Sequence, residues 1–140
     1  MTFGITPFIA DTSYLALLVR LFLGISLILH GYPKVKGGWR QSGKWMNSMG
    51  IPAITAVFAT IIEFFGGILL VVGLIVPVVA AFAALQFAAI IVVKASKMKA
   101  SYIPKEQGKP GTEIDWLYLV LSLVLIVLGA GALSIDSLLF

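Results

Sequence analysis

No cysteine occurs among the 140 residues of the chain. Disulfide frameworks, thiol relays between a CxxC pair and a quinone, thiolate nucleophiles and cysteine-ligated metal centres are therefore excluded. Histidine is nearly as scarce. His30 stands alone, and one imidazole is weak support for a metal or haem site, which needs convergent ligands or a second axial partner. Charged residues make up only 11 % of the chain. Apolar residues take their place at 60 %, and the 14 glycines raise that share to about 70 %, where a soluble domain holds about 45–50 % on the same count. A chain of this length has room for one domain, expected over 1–140, with too little interior to hide so much apolar surface. The apolar residues also come in long unbroken stretches. Lipid is then the solvent for much of the surface, and an ordinary soluble enzyme is ruled out.

The first apolar run, Tyr14–Leu29, is interrupted only by Arg20. Extended from Ser13 to Gly31 as a helix, it reaches about 27 Å. It does not read as a cleaved signal peptide, because Thr2–Ser13 carries no basic residue and a basic loop follows the apolar part. From Ile51 to Val93 the chain is apolar except for Thr55, Thr60, Glu63 and Gln86, and one helix of that length would measure about 65 Å, twice what a bilayer needs. Two spans are expected instead, 53–72 and 77–93, broken at Gly73-Leu74-Ile75-Val76-Pro77 by a tight turn. A last span is expected over 116–132, opened by Thr112, Glu113 and Asp115, whose oxygens suit the unpaired amides of a helix N-terminus. The fold class is thus all-α, an integral membrane four-helix bundle with spans near 13–31, 53–72, 77–93 and 116–132.

Four spans place loops 32–52 and 94–115 on one side. Those loops hold Lys34, Lys36, Arg40 and Lys44, then Lys94, Lys97, Lys99, Lys105 and Lys109, which is every basic residue except Arg20. The positive-inside rule makes both loops cytoplasmic and both termini external in a multi-pass cell-membrane protein. The net charge of +4 is therefore read as a topology signal with attraction to anionic headgroups, and no nucleic-acid partner is expected. Trp39 and Trp45 alternate with the cations of the first loop, so that this loop lies partly in the interface and roofs the cytoplasmic end of the bundle. The second loop, with Tyr102, Pro104, Gly108, Pro110 and Gly111, reads as an irregular, solvated linker.

Arg20, Glu63 and Gln86 are the polar groups that lipid cannot ignore, since a charge at mid-helix costs about 2.5–3.5 kcal/mol on insertion scales. From the external end Arg20 lies about 10 Å deep and Glu63 about 14 Å deep at the helical rise. An Arg20–Glu63 pair between the first and second spans is expected, with Gln86 of the third within reach. Ala56, Ala59, Thr60, Gly66 and Gly67 share the face of Glu63, so that this face meets protein. Two readings of the pair stand side by side. One is a register-fixing ion pair with hydrogen-bonded satellites. The other is a small-molecule site, in which Arg20 or Gln86 meets a quinone carbonyl and Glu63 exchanges protons. The chain itself supplies no electron carrier.

His30 is placed at the cytoplasmic mouth of the first span, as a capping or packing group or as a contact to a bound head group. Tyr14, Tyr32 and Tyr118 read as interface anchors. No metal ligand set and no covalent cofactor are expected. Gly24 and Gly31 lie inside an apolar helix and make no phosphate cradle.

The chain resembles the DoxX family of four-span membrane proteins. The resemblance runs through Arg20-Leu21-Phe22-Leu23-Gly24, His30-Gly31-Tyr32-Pro33-Lys34, Met49-Gly50-Ile51-Pro52 and Glu63-Phe64-Phe65-Gly66-Gly67, and it ends at Gly129-Ala130-Gly131-Ala132-Leu133-Ser134-Ile135-Asp136, with Ala130 where proline is common. These motifs follow one another in order along nearly the whole chain. The resemblance implies kinship with small membrane subunits of thiosulfate:quinone oxidoreductase or of a terminal quinol oxidase. It points to Arg20 for orienting an anion or a quinone carbonyl, Glu63 for proton exchange, His30 for head-group contact and Asp136 for capping or tethering the terminus. The implied partners are lipids, a quinone and either a redox protein or further copies of the chain. A quinone-interacting oxidoreductase component, with Arg20, His30, Glu63 and Gln86 as its binding residues, stands against a non-catalytic anchor or assembly subunit. A small-solute transporter has less behind it, since no inverted repeat is evident.

Overall fold

The computed structural model describes residues 12–140 and contains six helices joined by turns. Helix α1 (Thr12–Pro33) runs into a kinked segment, Lys34–Gly38, where Gly37 takes a φ of 122° that only glycine adopts readily. The kink redirects the chain into α2 (Trp39–Ser48). Helices α3 (Ile54–Val72), α4 (Val76–Lys97), α5 (Glu113–Leu128) and the short α6 (Ile135–Leu139) follow. The protein is an all-α, membrane-embedded helical bundle. Three of its helical stretches are long and apolar enough to cross a bilayer, namely the one opening at Ser13, Ile54–Val72 and Val76–Lys97.

Two expected boundaries are corrected. The span expected to end at 132 stops at Leu128, because Gly129 (φ 72°) and Gly131 (φ 79°) leave helical geometry. Its 16 residues measure about 24 Å at the helical rise, less than the hydrocarbon thickness of about 30 Å. The loop expected over 32–52 is largely helical. In α2 the side chains of Ser42, Trp45 and Met46 face the bundle, while Arg40 and Lys44 are exposed.

Packing follows the small residues. A Cβ on Gly24 would stand 2.8 Å from the Gly67 carbonyl oxygen, one on Gly67 would stand 2.6 Å from that of Gly24, and one on Gly31 would meet Phe64 N at 2.6 Å. Only glycine permits α1 and α3 to approach this closely. Helix α4 packs on α5 through Ala80, Ala83 and Phe87 against Tyr118 and Leu125, with the Phe87 and Tyr118 rings 5.1 Å apart. Although α3 and α4 are consecutive, they touch far less than α1 touches α3 or α4 touches α5.

The α3–α4 turn is locked by the carboxyl-terminal segment. Gly73, at φ 78°, caps α3 with its N–H on Leu69 O at 2.8 Å. Ile75 is held at φ 46°, a left-handed conformation unusual for a β-branched residue. Its N–H donates to Asp136 Oδ1 at 2.7 Å, Val76 N–H donates to Asp136 Oδ2 at 2.9 Å, and Asp136 N–H donates to Gly73 O at 2.9 Å. Asp136 thus ties the end of the chain to the N-terminus of α4, in keeping with the tethering role expected for it.

Candidate functional site

The expected Arg20–Glu63 pair does not form. Arg20 is fully buried, and its Nη2 donates to Leu133 O at 2.5 Å, while Asp136 is the carboxylate near enough to act on it electrostatically. A Cβ on Gly73 would overlap Arg20 Nη1, so the guanidinium packs against the α3–α4 turn. Depth along a helix axis misled here because it carries no direction for the side chain. Arg20 reaches toward the end of the bundle at Leu133 and Ser134, and its long stem lets it do so.

Glu63 is instead served from the other end. Lys34, just beyond α1, donates from Nζ to Oε1 at 2.9 Å and to Oε2 at 2.8 Å, and Gln86 Nε2 donates to Oε1 at 2.7 Å. The expected contact of Gln86 with Glu63 is therefore present. Both residues lie about 15 Å along their helices from the α3–α4 turn at the helical rise. Glu63 is nearly buried and Lys34 is half-buried. With two hydrogen bonds spent on Glu63, the Lys34 ammonium keeps a third N–H to offer. Gln86 Oε1 is buried without a donor.

His30 lies one turn before Lys34. Its Nε2 stands 3.3 Å from Tyr118 Oη, with the rings edge-on at 5.9 Å. Tyr118 is buried, which corrects its reading as an interface anchor: α5 turns it inward, onto Phe87 and His30. A second ion pair joins the last turn of α4 to the first turn of α5, with Lys94 Nζ 2.7 Å from Asp115 Oδ2 and 3.5 Å from Gly111 O.

These groups line one cavity of about 890 Å³ whose walls are otherwise mainly apolar. His30, Lys34, Glu63, Gln86, Lys94, Asp115 and Tyr118 all face it, and Arg20 does not. Among the residues expected to form a site, the fold therefore gathers His30, Glu63 and Gln86 and sends Arg20 elsewhere. Sequence reading missed Lys34, Lys94 and Asp115 as lining residues. Lys34 carried a signal, since it follows His30 by four positions and so shares its face. Lys94 and Asp115 carried none, because a basic last turn and an acidic first turn are fully accounted for by helix dipoles.

A membrane helical bundle enclosing a largely apolar cavity with a lysine–carboxylate–amide cluster on its wall defines the class of protein. The DoxX family profile matches residues 15–95. The chain belongs to the DoxX family. It is similar to a Bacillus subtilis (strain 168) protein named "Putative oxidoreductase CatD", with 32 % identity over 125 residues covering 89 % of this chain and 86 % of the relative. No solved structure matches it significantly. Family and relative together support a membrane role associated with an oxidoreductase.

Proposed function

We propose that the chain is the quinone-interacting membrane component of an oxidoreductase complex and that the cavity at Glu63 receives the quinone head group. The observation that carries this reading is the Lys34–Glu63–Gln86 cluster on the wall of an apolar cavity of about 890 Å³, a size and polarity suited to a small molecule. The free N–H of Lys34 and the imidazole of His30 supply donors for a quinone carbonyl, while the Glu63 carboxylate supplies a proton-exchanging group within the same cavity. With no cysteine and a single histidine in its sequence, the chain is assigned the quinone site and a partner redox protein the supply of electrons. Arg20 is assigned to holding the carboxyl-terminal segment and not to the ligand. Helix α5 completes a four-span bundle, with the basic loops cytoplasmic and both termini external.

The test is native extraction into lipid nanodiscs followed by mass spectrometry of what the protein retains. Quinone should copurify with the wild type and be lost from Glu63→Gln, with Arg20→Lys as the control that keeps it. A folded protein that carries no quinone, and binds none when quinone is added, overturns the reading. The anchor alternative draws on the exposed Lys36, Arg40 and Lys44. Undiminished recovery of a redox partner after neutralising these three would count against it.

A further inference from the structure

We infer that the cavity takes an amphiphile: its polar head lies at Lys34 and Glu63, and its apolar chain leaves through a slot between α3 and α4, so that the ligand exchanges with the bilayer and not with water. The head's identity rests on the quinone reading, while the chain is argued from the shape of the cavity. Joined by a tight turn, α3 and α4 should be close neighbours, and near the turn they are: a Cβ on Gly66 would stand 3.3 Å from Val79 Cγ1. Farther along, residues of both helices on either side of the Glu63–Gln86 contact line the cavity. Its rim is formed by Phe58, Phe82 and Leu85, which line the cavity and yet are 60 %, 55 % and 69 % exposed.

The position of this rim decides what medium it meets. Phe82, Leu85 and Phe58 lie about 9, 14 and 22 Å from the turn at the helical rise, within a hydrocarbon layer of about 30 Å. An opening at that depth faces acyl chains, which suit apolar side chains of this type. The end of the cavity toward the basic loops is lined by other elements. Trp45 and Met46 of α2 line it there, and Lys94 Nζ stands 3.5 Å from Gly111 O of the 98–112 segment. An exposed apolar rim at bilayer depth favours a ligand with an apolar chain.

Trp45, on the cavity wall, reports occupancy through fluorescence quenching in the full chain reconstituted in nanodiscs. Three probes are used: a benzoquinone bearing a decyl chain, the same ring without the chain, and a chain-brominated dodecanoate. The decyl compound should bind at least about tenfold more tightly than the bare ring, a gain that burial of fewer than two methylene groups supplies. Leu85→Phe, which narrows the rim, should weaken the two chain-bearing probes by a similar factor and leave the bare ring unchanged. Equal affinity for ring and decyl compound, with no effect of Leu85→Phe, overturns the slot and leaves the quinone reading standing. Quenching by the dodecanoate alone, sensitive to Leu85→Phe, supports the slot and removes the quinone reading. Quenching by none of the probes overturns both.

Discussion

Lys34 Nζ bridges both carboxylate oxygens of Glu63, at 2.9 and 2.8 Å, although Lys34 belongs by sequence to the basic loop and Glu63 to the middle of a span. The pair couples the kink after α1 to the face of α3 that carries Gly66 and Gly67. It also places the Glu63 carboxylate on the cavity wall.

Removing either partner should be worse than removing both. Lys34→Met leaves the nearly buried Glu63 carboxylate with Gln86 as its remaining partner and should cost roughly 1.5–3 kcal/mol, the worth of a hydrogen bond to a charged group. The double variant Lys34→Met, Glu63→Met should recover part of that loss, because no unpaired charge remains. Thermal unfolding of the two single variants and the double in one detergent gives the coupling. Simple additivity would mean that the pair contributes nothing.

The carboxyl-terminal clasp makes two opposed predictions. Asp136→Ala removes the acceptor of the Ile75 and Val76 amides and should cost about 0.5–2 kcal/mol, as loss of a helix cap does. Ile75→Gly relieves a left-handed conformation that costs an L-residue about 1–2 kcal/mol against an entropic loss of about 0.5–1 kcal/mol for glycine, so a net gain of up to about 1.5 kcal/mol is expected. Melting temperatures should move in opposite directions.

Glycines in this chain should respond to alanine according to what their Cβ would meet. Gly67→Ala meets backbone of α1 at 2.6 Å and should destabilise by about 1–3 kcal/mol through overpacking. Gly43→Ala, whose nearest neighbours stand at 3.4 Å, should be tolerated and even gain, since alanine exceeds glycine in helix propensity by about 0.8–1.0 kcal/mol. Equal responses in a thermal melt would mean that α1 and α3 are not in close contact.

The absence of cysteine makes the orientation directly readable. Lys105→Cys and Leu138→Cys place single thiols at exposed positions. A membrane-impermeant maleimide applied to intact cells should label Leu138→Cys alone, and Lys105→Cys should react only after the membrane is opened. The reverse pattern would invert the assignment of the basic loops to the cytoplasm.

Bulk composition and hydrophobic run length were enough to read the membrane class and spans near 13–31, 53–72 and 77–93, which fall within a few residues of the helices Thr12–Pro33, Ile54–Val72 and Val76–Lys97, because burial in lipid acts on every residue of a run at once. The break near Gly73 was legible because turn chemistry is local, and the tether at Asp136 followed from the family resemblance. The partner of Glu63 was not legible. Sequence specifies how deep a residue lies, but the direction of a long side chain depends on which neighbour the packed helices leave open. Close approach at Gly24 and Gly67 brought Lys34 over Glu63, and the turn at Gly73 drew Arg20 the other way. The cavity belongs wholly to the tertiary structure, since it exists only because α3 and α4 each pack more closely on another helix than on each other.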